Sequence, residues 1–173
     1  MSWQIFVGIL VLGWLWWSTP AVAANMRAVA YYTQTHRCRS CDLSRANLMA
    51  RDLSWSFLLT ANLQQADLRG SNLSHSNLSW ARLTGAKLSQ GNLAASKLPF
   101  ANLAGANLQG VNFQGANLNS ADLRGANVQG VNWQDADVSF ADLRGVRALS
   151  LTDFQKAHNW ETVMLDNPKE SEK

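Results

Sequence analysis

From Leu43 to Leu143 a large apolar residue recurs at every fifth position without a slip, and few chain geometries tolerate that period. The 21 positions hold 17 leucines together with Phe113, Val128, Trp133 and Val138. Two residues before each stands a small residue, Ala in 12 cases and Ser in four, the rest being two Val, one Gly, Cys41 and Arg51. The residue just before the Leu position is Asn 11 times and Asp six times, and eight of the 11 glycines lie two residues after it.

A period of five suits neither regular element. Apolar residues five apart advance about 500° around an α-helix and walk off any single face. On an extended strand, side chains alternate, so successive leucines would fall on opposite faces. A chain that turns a corner every five residues satisfies the pattern, with one large and one small apolar side chain pointing inward on each side. Four sides close a coil of 20 residues, and coils stack at strand spacing, about 4.8 Å. Ala or Ser at the second inward place keeps a narrow axis from being overfilled. Asn and Asp suit the corners because their side chains bond nearby backbone groups, and Gly is free to take positive φ there.

The phrases Ala106-Asn107-Leu108-Gln109-Gly110 and Ala121-Asp122-Leu123-Arg124-Gly125 carry an A(D/N)LxG pattern that resembles the pentapeptide repeat family. The resemblance covers residues 41–145. It implies an all-β fold, a right-handed quadrilateral (four-sided) β-helix solenoid with short helical caps. Twenty-one repeats give just over five coils, a column roughly 25 Å long. The domain reading is a leader over 1–23, an N-terminal cap over 24–40, the solenoid over 41–145, a C-terminal cap over 146–166 and a tail over 167–173.

Ile5 to Trp17 is an uncharged apolar run followed by Pro20-Ala21-Val22-Ala23-Ala24. Small residues at 21 and 23 fit an export cleavage site after Ala23, and the run is short of the ~20 residues of a membrane span. No Lys or Arg precedes the run, and Trp14, Trp16 and Trp17 cluster as in an interfacial belt, so a retained anchor is the alternative. Either way the chain is expected to be exported, to a thylakoid lumen or periplasm. Membrane contact would come only through this segment if it is uncleaved. A solenoid needs caps at both ends. Asn25–Thr35 is expected to form a short helix at one. At the other, Thr152-Asp153-Phe154 resembles a repeat resumed one residue late, and Ala157, Trp160, Val163 and Met164 lie at helical spacing to plug the last coil.

Cys38 and Cys41, the only cysteines, continue the register backward at a Leu and an Ala position. They read as buried thiols or a local disulfide, with a redox or metal role as the alternative. Arg51, at a small inward position, either leaves the core or pairs with a neighbour such as Asp52. Residues 20 apart stack, which places Trp80, Phe100, Ser120 and Phe140 in one outward corner column. Trp80, Phe100 and Phe140 form either a partner-binding surface or a ladder that protects the corner. The same rule stacks Asp67 with Lys87, Asp122 with Asp142 and Arg124 with Arg144.

Composition narrows the function. The chain is 47% apolar and 16% charged, which excludes disorder. The three histidines are scattered singly, so no nucleophile–base pair, metal set or cofactor site is expected and the protein is not expected to be an enzyme. The glycines follow the corner register and make no phosphate loop. The expectation is a non-catalytic scaffold or protein-interaction module, monomeric or weakly dimeric, similar to exported cyanobacterial and lumenal members of the family. Some members mimic DNA and inhibit a type II topoisomerase. That alternative needs an acidic surface, whereas this chain is net +3 and carries Arg82, Lys87 and Lys97 at corner positions. Its basic residues form no dense run, so no nucleic-acid partner is expected either.

Overall fold

The computed structural model describes Thr35 and residues 37–166. The expected leader, the expected capping helix up to residue 34, His36 and the tail over 167–173 lie outside the described residues. Nineteen parallel bridges join residues 20 apart, one every five residues from Arg37–Phe57 to Asn127–Arg147. The chain therefore winds as a β-helix with four sides per coil. We number the sides by their inward rows: Leu63 and Leu83 lie on the first, Leu68 and Leu88 on the second, Leu73 and Leu93 on the third, Leu78 and Leu98 on the fourth.

Residues 61–65 show how a side accounts for its backbone donors. The Ala61 amide donates within the coil to Leu58 O, and those of Asn62, Leu63 and Gln65 donate to neighbouring coils at Cys41 O, Arg82 O and Thr84 O. The remaining amide, Gln64 N, donates to the side-chain Oδ1 of Asn62. The same two-residue bond recurs at Asp42–Ser44, Asn92–Ala94 and Asn112–Gln114. Asn side chains also ladder between coils: Asn132 donates to Asn112, Asn112 to Asn92 and Asn92 to Asn72, at 2.9 to 3.2 Å. A backbone group left without a partner is costly when buried, so Asn or Asp is favoured at this place, although Phe57, Arg82 and Lys87 also occupy it. Lys97 breaks the rule where the rule is empty, because Pro99 two residues on has no N–H.

The core is a single stack of leucines against small residues, nearly all fully buried. Ser replaces Ala inside by turning its hydroxyl onto backbone: Ser71 donates to Leu68 O, Ser96 to Leu93 O and Ser76 to Leu53 O. Arg51 is exposed, so of its two expected outcomes it leaves the core. Cys38 is buried at its Leu position and Cys41 half-buried beside it.

The C-terminal end departs from expectation. The 20-residue register runs to Arg147, after which bridges join Asp137 to His158 and Asp142 to Met164 at spacings of 21 and 22. Helix α1 spans only Leu151–Phe154, and a single 3-10 turn spans Trp160–Thr162. Ala157, Trp160, Val163 and Met164 therefore do not share a helix. Ala157 is buried, Trp160 and Val163 pack at the edge, and Met164 is exposed at an outward bridge position. Closure comes from the third side, where Phe113 stacks on Trp133 at 5.5 Å and Phe154 meets Trp133 edge-on at 5.2 Å.

Two sets of substitutions test this account by thermal or urea unfolding. Leu93→Ala should cost ~2–5 kcal/mol through a cavity. Ala101→Leu should cost ~1–3 kcal/mol by overpacking, with Gln109→Ala near neutral. Asn112→Ala, which strips the Gln114 amide of its acceptor and cuts the ladder, should cost about 1–2 kcal/mol. Lys97→Ala should stay within about 0.5 kcal/mol, since it serves no amide. Equal losses at 97 and 112 would show that the side-chain acceptor is incidental.

Candidate interaction surface

The corner residue two after each Leu position takes positive φ at Gly and non-Gly alike. Bulky side chains are rare in that region because Cβ crowds the following carbonyl, at roughly 1–2 kcal/mol. Even so, Trp55, Trp80, Phe100 and Phe140 stand there with φ of 57 to 60°. They are 73, 57, 47 and 63% exposed.

These aromatics flank one side of the column. Trp80 and Phe100 stack at 4.3 Å with planes 15° apart on the corner between the fourth and first sides. Phe140 lies farther along that corner, separated from the stack by Ser120. The three predicted residues are thus in one column, but only Trp80 and Phe100 meet. A second stack was not anticipated: Trp55 lies on His75 at 4.3 Å and 8°, on the corner between the third and fourth sides. The 20-residue rule places His75 above Trp55 and would have found it. Between the corners the fourth side presents Arg37, Phe57, Asn77, Lys97, Asn117 and Asp137 in bridge register.

Charge is polarised along the column, a second feature that whole-chain counting hides. Residues 37–97 contain eight basic and three acidic residues, residues 98–166 four basic and seven acidic, and none falls between 98 and 121. The N-terminal half is therefore positive and the C-terminal half negative.

Cys38 and Cys41 are joined as a disulfide with Cα atoms 5.3 Å apart, at the start of the first described coil. Among the described residues no group of His, Cys, Asp or Glu could hold a metal ion, and no helix is long and apolar enough to cross a membrane.

Residues 61–90, 91–125 and 121–158 match the pentapeptide repeats family, in eight copies. The chain belongs to the pentapeptide repeat family. It is similar to the pentapeptide repeat protein Rfr23 of the cyanobacterium Cyanothece 51142, at 28% identity and a TM-score of 0.60, over 82% of this chain and 99% of that one. A pentapeptide repeat protein of Nostoc PCC 7120 is 32% identical over 82% of this chain and 94% of its own, with a TM-score of 0.36. One from the Arabidopsis thaliana thylakoid lumen is 31% identical over 63% of this chain and 70% of its own, with a TM-score of 0.29. No curated protein matches the chain.

Within this pentapeptide repeat protein the carboxylates pair locally. Asp67 is bound by both Nε and Nη2 of Arg69, at 2.8 and 2.6 Å, so its partner is Arg69 two residues on and not the expected Lys87 a coil away. Arg124 holds Asp122 and Arg144 holds Asp142 in the same fork, and Arg124 also approaches Asp142 at 3.7 Å, which links two coils. These guanidinium bonds lower all three carboxyl groups below their usual 3.8. Asp137 is lowered too. Burial pushes it up, but bonds from Ser139 and Asn159 more than offset that. A carboxyl lowered in the folded state stabilises at high pH and loses that contribution as pH falls through its folded value. Stability should be flat above about pH 5 and decline below the ordinary Asp value, as the unfolded chain takes up protons first. Arg144→Ala should flatten the decline when urea midpoints are compared across that range. An unchanged pH profile would remove the fork from the account.

Proposed function

We propose that this chain is a non-catalytic interaction module, built on a right-handed four-sided β-helix and acting in a thylakoid lumen or periplasm. The observation that carries the reading is the set of exposed aromatics at positive-φ corners. Gly fills eight such corners without strain, so four aromatics there run against local stability. The Trp80–Phe100 and Trp55–His75 stacks recover part of that cost, while Phe140 belongs to neither stack. Interface centres are enriched in Trp, Tyr and Phe, and truncating them there often costs more than ~2 kcal/mol of binding. The compartment rests on the apolar run and Ala-x-Ala pattern ahead of residue 24.

Changing Trp80, Phe100 and Phe140 together to Ser separates binding from architecture. Co-purification of partners from a native membrane fraction should be lost while the melting temperature holds or rises. A lower melt with recovery intact would make the column purely structural. Mass spectrometry of the exported protein should place its N-terminus near Ala24, and an intact Met1 in a cytosolic fraction would overturn the compartment.

A further inference from the structure

We propose that the partner of the fourth side is a second copy of this chain, docked antiparallel about a two-fold axis between the Asn77 and Lys97 coils; this rests on the interaction reading above. A two-fold axis in the interface plane and across the column keeps each row over itself and reverses its order. The fourth-side row then pairs Arg37 with the partner's Asp137, Phe57 with the partner's Asn117 and Asn77 with the partner's Lys97, in a register set by the bridges. Each pair occurs twice. On one corner Trp55 meets the partner's Gly115, whose missing Cβ leaves open space within 4 Å, and His75 meets the partner's Ala95. On the other, Ser40 meets the partner's Phe140, Thr60 the partner's Ser120 and Trp80 the partner's Phe100. Trp55, His75 and Phe140 thus each oppose a small residue, and Trp80 meets the partner's Phe100 beside the axis.

Charge selects the same arrangement. Antiparallel docking sets Arg37 of each copy against Asp137 of the other, whereas parallel docking sets like charges against like. Moving the axis onto the Lys97 coil would put Lys97 against the partner's Lys97. Moving it between the Lys97 and Asn117 coils would leave Arg37 without a counterpart, because the row ends at His158. The chosen register is the one that pairs Arg37 with the partner's Asp137 and sets no like charges of the row against each other.

Sedimentation equilibrium of the full chain in density-matched detergent tests this. The chain should sediment at twice its own mass and dissociate as salt is raised. Arg37→Asp and Asp137→Arg should each weaken dimerisation by at least about tenfold, because each replaces two opposite-charge pairs with two like-charge pairs. Mixing the two variants should restore a dimer, since each then supplies the charge the other lacks. Asp137 also accepts bonds from Ser139 and Asn159, so Trp55→Ser, confined to an exposed corner, serves as the independent variant and should weaken the dimer with an unchanged melt. A monomer at every concentration, a dimer indifferent to Trp55→Ser, or single variants that stay monomeric when mixed would each overturn the proposal. A monomer whose partner recovery still depends on Trp80, Phe100 and Phe140 would leave the interaction reading standing and remove only self-association.

Discussion

One amide in every five finds no backbone carbonyl, and on 17 of the 21 sides an Asn or Asp stands where it can satisfy it. Four N–H groups of a side bond to neighbouring coils or to the turn, while the fifth faces a corner. An Asn or Asp two residues earlier brings Oδ1 to that amide, as Asn62 does for Gln64 and Asp122 for Arg124. The side chain thus performs a backbone task, which ties its identity to the fold more tightly than exposure suggests. Where Lys97 takes the place, Pro99 has removed the donor. The two departures explain each other.

With the amides settled, steric fit fixes the rest of the coil. One leucine and one small residue fill each side of an axis that admits neither two large residues nor a void. The ends obey a looser rule. Beyond Arg147 the spacing stretches to 21 and 22, which brings Phe154 onto Trp133 where a regular repeat would have stopped a residue earlier. Aromatic bulk closes the column there because its last coil has no successor to cover it.

What was legible in the sequence follows from this hierarchy. Period five specified which side chains turn inward and that residues 20 apart stack, since both come from a repeated constraint. Arg69 shows where such reasoning stops. Column stacking pointed to Lys87 as the partner of Asp67, yet the corner carries Arg69 back over the same carboxylate, and a bidentate fork held by a tight turn prevails over a flexible lysine a coil away. The C-terminal segment misled for a related reason. Ala157, Trp160, Val163 and Met164 fit a helical stripe, but inter-coil pairing of His158 and Met164 offers bonds to the open end of the column that a separate helix would forgo.

The division between inward duty and outward freedom also explains how exposed aromatics can gather on one side. Leucine and the small residue are prescribed by packing and Asn or Asp is favoured by an amide, so the two remaining places in five are the most open to other demands. The corner place is one of them, and its positive φ makes Gly the choice of least strain. Trp55, Trp80, Phe100 and Phe140 resist that choice on the two corners that border the fourth side, while the first and second sides meet at a corner carrying Gly85, Gly105, Gly125 and Gly145. A demand that fell equally on all sides would have no reason to spare that corner. That asymmetry is what the proposed interaction on the fourth side would require of the column.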